Sequence, residues 1–282
     1  MKIVRWTFPR IEKVFPFLAH RYFIKVFFTP LNYSVPEKEK EWEQQAEKFN
    51  VVAAGKKIQC YSWGKGPVVL VAHGWAGRAT QFRKFIPVLK KEGYRVVGFD
   101  GPAHGKSEGT KTNIIEFEEA LRNIYSVVGE PVAIIAHSFG GGAILFAAVN
   151  GLPVKKLINI ASPTIGDEII NTYLRAINGS ASTGDFFKSY MVTKYGKAFD
   201  EYTSLYLIRK VKQEIELLLV HDEADKEVGI EHPRELKKVY PQADLHITKG
   251  LGHTRILKDE GVIRTCVTFI KTGRHGGKAI GS

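Results

Sequence analysis

Ser138 stands inside the run PVAIIAHSFGGGAILFAAVNG, between the apolar stretch Val132–Ala136 and a second apolar stretch rich in glycine. A buried strand accounts for the first half and a buried helix for the second. Neither accounts for a hydroxyl wedged between them. A strand that turns sharply into a helix strains its apex residue, and the two elements can pass closely only if small residues flank the apex two before and two after. Ala136 and Gly140 hold those positions, with Gly141 and Gly142 beyond. The apex hydroxyl is then lifted clear of the sheet at a helix N-terminus, where the dipole favours developing negative charge. A serine that merely capped the helix would need neither the small neighbours nor the apolar strand. The chemistry implied is nucleophilic attack by Ser138, which needs a base to take its proton.

The elements that must position this residue alternate along the chain. PVVLVAHG, YRVVGFD, PVAIIAHS, VKKLINIAS, EIELLLVH and ADLHITKG read as strands. Between them, helices are expected over residues 79–92, 113–128, 139–150, 230–240 and 255–271. Continuous Val/Ile/Leu runs of this kind belong to a mostly parallel sheet covered by helices on both faces. Ahead of them, FNVVAAG and KKIQCYSWG read as a hairpin turning at Gly55-Lys56-Lys57. In such a sheet ligands bind beyond the carboxyl ends of the strands. The residues closing the strands are His73-Gly74-Trp75, Asp100-Gly101-Pro102, His137-Ser138-Phe139, Ser162-Pro163, His221-Asp222 and Gly252-His253. Serine, acid and histidine, the ingredients of nucleophilic catalysis, are all among them.

Residues 163–212 break the rhythm with Tyr173, Phe186, Phe187, Tyr190, Met191, Tyr195, Phe199, Tyr202 and Tyr206 among polar residues, which suits a small helical cap. The first 30 residues are aromatic and basic, with Ile11, Val14, Leu18 and Tyr22 at helical spacing and Pro16 dividing the stretch into two short helices. They suit an extension packed through that stripe over the body or a subunit neighbour, or an interfacial helix on an anionic membrane. SVPEKEKEWEQQAEKF reads as a solvated helix or linker. The organisation expected is an extension over 1–49, a core over 50–162 and 213–272 interrupted by the cap over 163–212, and a flexible tail over 273–282.

Composition narrows the partners. Of the net charge of +12, residues 1–30 hold +5 and residues 271–282 hold +3, leaving a mildly basic body. No nucleic-acid-binding motif appears, so no nucleic-acid partner is expected. No run of about 18 apolar residues is present, so no spanning helix is expected, and the N-terminus lacks the clean apolar core of a signal peptide. Cys60 and Cys266 have no metal or redox spacing and read as free thiols of a cytoplasmic protein. No ligand spacing supports a metal site and no dinucleotide fingerprint follows a strand, so no metal or cofactor is expected.

AHSFG resembles the nucleophile elbow of the α/β-hydrolase fold, in its serine esterase and lipase branch. VAHGWAG and FDGPAHGKSEG resemble that family's oxyanion loop and the segment after the next strand, and the likeness runs in order over roughly residues 50–270. Ala136 departs from it, standing where the commonest pattern has glycine. Serine at the elbow disfavours chemistry that uses an aspartate nucleophile. The resemblance implies His253 as the base and Asp225, followed by Val228, as the acid that orients it; Asp167 is the alternative acid. It implies the backbone N–H groups of Phe139 and Trp75 as oxyanion donors, and scaffold roles for His73, Asp100, His104 and His137. The expected activity is a cofactor-free serine hydrolase acting through an acyl-enzyme on a small or medium apolar carboxylic ester. A thioesterase, a lipase, a carbon–carbon hydrolase and a non-catalytic binding module are the alternatives.

Overall fold

Residues 2–273 are described by a computed structural model; of the expected tail only Gly273 falls within it, and residues 274–282 lie outside the described residues. Pro16 divides the N-terminal stretch as its chemistry requires, into α1 (Lys2–Val14) and α2 (Pro16–Phe28). These are followed by α3 (Glu37–Gln44). The stripe that the spacing marks for burial turns outward: Ile11, Val14, Leu18 and Tyr22 are all exposed. Phe8, Ala19 and Phe23 are buried instead. Both sets fit helical spacing, and the aromatic cap selects the second. Phe23 meets Phe187 edge-on at 5.5 Å, while Phe27 packs on Phe187 at 4.3 Å and Tyr173 at 4.6 Å.

Helix α3 has the solvated outer face that the sequence suggests, but it is anchored inward at two points. Its Glu39 is buried against Arg78 Nε at 2.8 Å and the Thr80 hydroxyl at 3.0 Å, and the Trp63 indole N–H donates to the Trp42 carbonyl at 2.8 Å. A carboxylate taken out of water needs such partners, and they tie the extension to the core beside the loop that follows His73.

The sheet opens with β1 (Glu47–Ala53) and β2 (Lys56–Trp63), paired antiparallel. Their turn is Ala54-Gly55, with φ of 49° and 69°, one step earlier than the Gly55-Lys56-Lys57 reading. Two left-handed residues match the strand twist, and Lys56 is already paired with Ala53. Next come β3 (Val68–Ala72), α4 (Phe85–Lys91), β4 (Arg95–Phe99), α5 (Ile114–Val128), β5 (Ala133–His137), α6 (Phe139–Val149) and β6 (Lys156–Ile160). The cap follows as α7 (Gly166–Ile177), α8 (Ala181–Tyr195) and α9 (Ser204–Leu207), and the chain returns through β7 (Glu216–Asp222), α10 (Glu231–Val239), β8 (Asp244–Thr248), the single turn α11 (Gly252–Arg255) and α12 (Glu260–Thr272).

Two expected helices are interrupted for identifiable reasons. Pro87 clashes with the carbonyl four residues back, so residues 79–92 form a 3-10 turn at Ala79–Phe82 and a fresh helix from Phe85. Asp259 accepts the Val262 amide at 2.9 Å and caps α12, which starts at Glu260 rather than 255.

The eight strands lie in the order β1-β2-β4-β3-β5-β6-β7-β8, antiparallel between β1, β2 and β4 and parallel elsewhere. Alternate side chains serve alternate faces. Leu70 and Ala72 join the layer built with α5, α6 and the cap, while Val69 and Val71 join the layer under α4 and α12. The central strands thus end side by side under the cap.

Candidate active site

At the end of β5 the chain reverses into α6, and Ser138 at the apex takes φ 51° and ψ −124°. A non-glycine residue is held there only by its surroundings. The Ser138 amide donates to Ile160 O at 2.9 Å and its carbonyl accepts the Ser162 hydroxyl at 2.7 Å. Gly140 is needed because a Cβ there would lie 2.6 Å from Ala72 O and 2.7 Å from His73 O. The Ser138 side chain makes no cap hydrogen bond. Ser138 instead lines a cavity of about 550 Å³.

His253, on α11, lines the same cavity. The His253 Nδ1–H donates to Asp225 Oδ2 at 2.8 Å, which leaves Nε2 as the nitrogen able to accept a proton. Asp225 Oδ1 accepts the amides of Glu227 at 2.8 Å and Val228 at 3.0 Å. Burial works against the charge on this carboxylate, yet the His253 hydrogen bond and charge, with those two amides, hold its pKa below the usual range. Asp167, the alternative acid, lies on α7 with its side chain largely exposed and is paired with Lys188 at 2.6 Å.

Asp222 organises the loop that carries His253. Its oxygens accept the amides of Ala224 at 3.0 Å, Leu251 at 2.9 Å and Gly252 at 2.9 Å, and the Thr248 hydroxyl at 2.8 Å. Although burial opposes the charged form, these donors hold its carboxyl below the usual value. Glu223 points outward, 3.8 Å from Lys249.

The loop after β3 lies against the elbow, since a Cβ on Gly74 would meet Ser138 Cβ at 2.7 Å. The turn is closed by the Gly77 amide on Gly74 O at 2.9 Å, which leaves the Trp75 amide outside it. The Phe139 amide, first in α6, has no intrahelical acceptor. Both residues line the cavity, and their rings meet at 5.3 Å.

His73 and Asp100 brace that loop. His73 donates from Nδ1 to Gly74 O at 2.7 Å and accepts the Gly101 amide on Nε2 at 2.8 Å. Asp100 accepts the amides of Ala79 and Lys106, each at 2.9 Å. Burial lowers the pKa of His73 well below its ordinary value and that of His104 to about 4, and raises the carboxyl pKa of Asp100.

Other residues of the site carry no motif. Phe27 and Phe28, from the extension, line the cavity with Tyr173 and Phe199 of the cap. Glu227 reaches within 3.9 Å of His253 Nε2. Glu227 stands between Asp225 and Val228 in the chain, but only the folded loop shows which way it faces.

The profile of the alpha/beta hydrolase fold matches residues 67–258, and the chain belongs to that family. Its sequence is similar to a human serine hydrolase-like protein, 33% identical over 132 residues that span 42% of this chain and 64% of that protein. Its fold is similar to that of a protein from Acinetobacter baumannii described as a putative lipase (TM-score 0.64, 19% identity, 86% of this chain and 99% of that one). It is also similar to an esterase from Exiguobacterium antarcticum (TM-score 0.62, 20% identity, 80% and 100%). At these identities the structural likenesses speak to the fold alone. Among the described residues no helix is long and apolar enough to cross a membrane.

Proposed function

We propose that this chain is a serine hydrolase of carboxylic esters with a small or medium apolar acyl group. Ser138 Oγ attacks the acyl carbonyl while His253 Nε2 takes its proton. Asp225, bonded to Nδ1, stabilises the imidazolium that forms. The amides of Phe139 and Trp75 receive the oxyanion. His253 then returns the proton to the leaving alcohol, and water hydrolyses the acyl-enzyme by the same route. The observation that carries the reading is the 2.8 Å bond between Asp225 and His253 at the cavity that Ser138 lines.

Aromatic walls favour an apolar acyl chain. Each methylene buried contributes about 0.8 kcal/mol, so kcat/KM should rise roughly fourfold per carbon until the cavity is filled. A p-nitrophenyl ester series, run beside fluorophosphonate labelling of the parent and of Ser138→Ala, tests this. Labelling retained in Ser138→Ala, or no hydrolysis of any ester by the parent, would overturn it.

A further inference from the structure

Ten of the fifteen exposed large hydrophobic side chains among the described residues fall between Ile3 and Tyr33. They have a focus at the corner between α1 and α2, where Val14, Phe15, Pro16, Phe17 and Leu18 are consecutive and all exposed. Phe15 and Phe17 are 58% and 62% exposed, and Trp6, on the preceding helix, 61%. Folding has not left this face bare for want of an anchor. The opposite face is buried through Phe8, Ala19 and Phe23, and Glu12 accepts from Ser180 and Thr183 of the cap. The hairpin is therefore fixed to the body with an apolar corner directed away from it.

Charge decides what fits there. Arg10, Lys13, Arg21 and Lys25 are exposed on the two helices that carry the apolar side chains, while Arg5 is turned to Asn178 of the cap. Glu12 is the sole acid of the first 30 residues, and it is turned to the cap. Arg10 lies over the Trp6 ring at 3.9 Å and Arg21 over Phe17 at 5.4 Å, so cation and aromatic ring are presented together. A second copy of the chain would bring two hairpins of net +5 face to face, which like charge opposes. A surface that is apolar at depth and negative at its rim suits both features.

We propose that α1 and α2 dock the protein on an anionic lipid bilayer, with the Val14–Leu18 corner inserted below the headgroups and the surrounding Arg and Lys side chains among them. The docking is independent of the hydrolytic reading, since it uses none of Ser138, Asp225 or His253. It also places a membrane contact on the helix whose other end, Phe27 and Phe28, lines the cavity.

The test is co-sedimentation of the full chain with vesicles of equal parts phosphatidylcholine and phosphatidylglycerol, and with phosphatidylcholine alone. A variant combining Phe15→Ser, Phe17→Ser and Leu18→Ser is run beside the parent, with circular dichroism melts to show that both are folded. The parent should bind the mixed vesicles, bind phosphatidylcholine far less, and release with rising salt. The triple variant should partition at least roughly tenfold less. Failure of the parent to sediment, equal binding to both lipids, or undiminished binding by the folded variant would overturn the proposal. So would a parent dimer, seen by sedimentation velocity, that the same substitutions dissociate, because the corner would then be a self-association face.

Discussion

His137 Nε2 donates to the main-chain carbonyl of His253 at 2.9 Å, so the residue before the proposed nucleophile grips the residue proposed as base. Burial lowers the His137 pKa to about 3, which keeps the ring neutral with its proton on the nitrogen that faces the carbonyl. The bond fixes the separation of two groups that sequence distance does not. His137→Phe keeps the ring and removes the donor, and kcat for a p-nitrophenyl ester should fall roughly 10²-fold, as misplacement of a catalytic group by about 1 Å does. The melting temperature should change little. An unchanged kcat would show that the Asp222 bonds hold the loop without His137.

Asp225 and Asp167 separate cleanly by environment. Asp225 is buried against His253, whereas Asp167 is an exposed partner of Lys188. Asp225→Asn should lower kcat by a factor on the order of 10⁴, because the amide favours the wrong imidazole tautomer. Asp167→Asn should stay within about twofold, as a surface ion pair contributes little. Steady-state kinetics on the two variants decide it, and the opposite ranking would remove Asp225 from the mechanism.

How much of this was legible in the sequence depends on what each signal encodes. The parallel strands were readable because burial on both faces leaves unbroken apolar runs, and strand ends in such a sheet point to one edge. Ser138, His253 and Asp225 were nameable from strand ends and family motif; Ser138 and His253 line one cavity, and Asp225 lies behind it, bonded to His253. The direction in which α1 and α2 face was not readable. Ile11 with Leu18 and Ala19 with Phe23 both fit a helical stripe, and only the aromatic side chains of the cap, Phe187 against Phe23 among them, distinguish the two faces. The burial of Glu39 was hidden for the same reason, since its partners Arg78 and Thr80 follow a different strand. Turn and helix limits moved where single residues, Ala54, Pro87 and Asp259, imposed local rules on a broader pattern.

Acid should loosen the cap through His232. Its Nδ1 accepts the amides of Thr164 at 2.8 Å and Ile165 at 3.1 Å, the residues that lead into α7. A protonated Nδ1 would oppose both donors. Burial, followed by the neighbouring His221, lowers the His232 pKa from 6.5 to about 4, against the opposing pull of Glu168, Glu231 and Asp225. Between those values the unfolded chain takes up a proton that the folded chain refuses. The stabilisation is therefore complete above pH 6.5 and is lost as pH falls toward 4. His104 and His137 act in the same direction. The melting temperature should fall from pH 7.5 to 4.5, by ~2–4 °C per kcal/mol lost. His232→Asn, whose Oδ1 can accept without titrating, should show a smaller drop. Equal drops in parent and variant would exclude His232 from the acid response.

Ser204 offers a test of what fills the cavity. It opens α9 in the cap, is 1% exposed and lines the cavity, and its Oγ has no hydrogen-bond partner among the described residues. This hydroxyl is already cut off from water in the free protein, so an alkyl acyl chain strips nothing from it, and the missing bond costs about 1 kcal/mol or more of stability. Ser204→Ala removes that cost, so the melting temperature should rise by ~2–4 °C while kcat/KM for unsubstituted alkyl esters stays within about twofold. An acyl chain that itself carries a hydroxyl within reach of Ser204 gives it the missing partner, so kcat/KM for that ester should fall roughly fivefold on substitution. Comparing alkanoyl and hydroxyalkanoyl esters of equal length on parent and variant reads the difference directly. If the substitution leaves both substrates unchanged, the acyl group does not reach the cap and binds on the core side of the cavity.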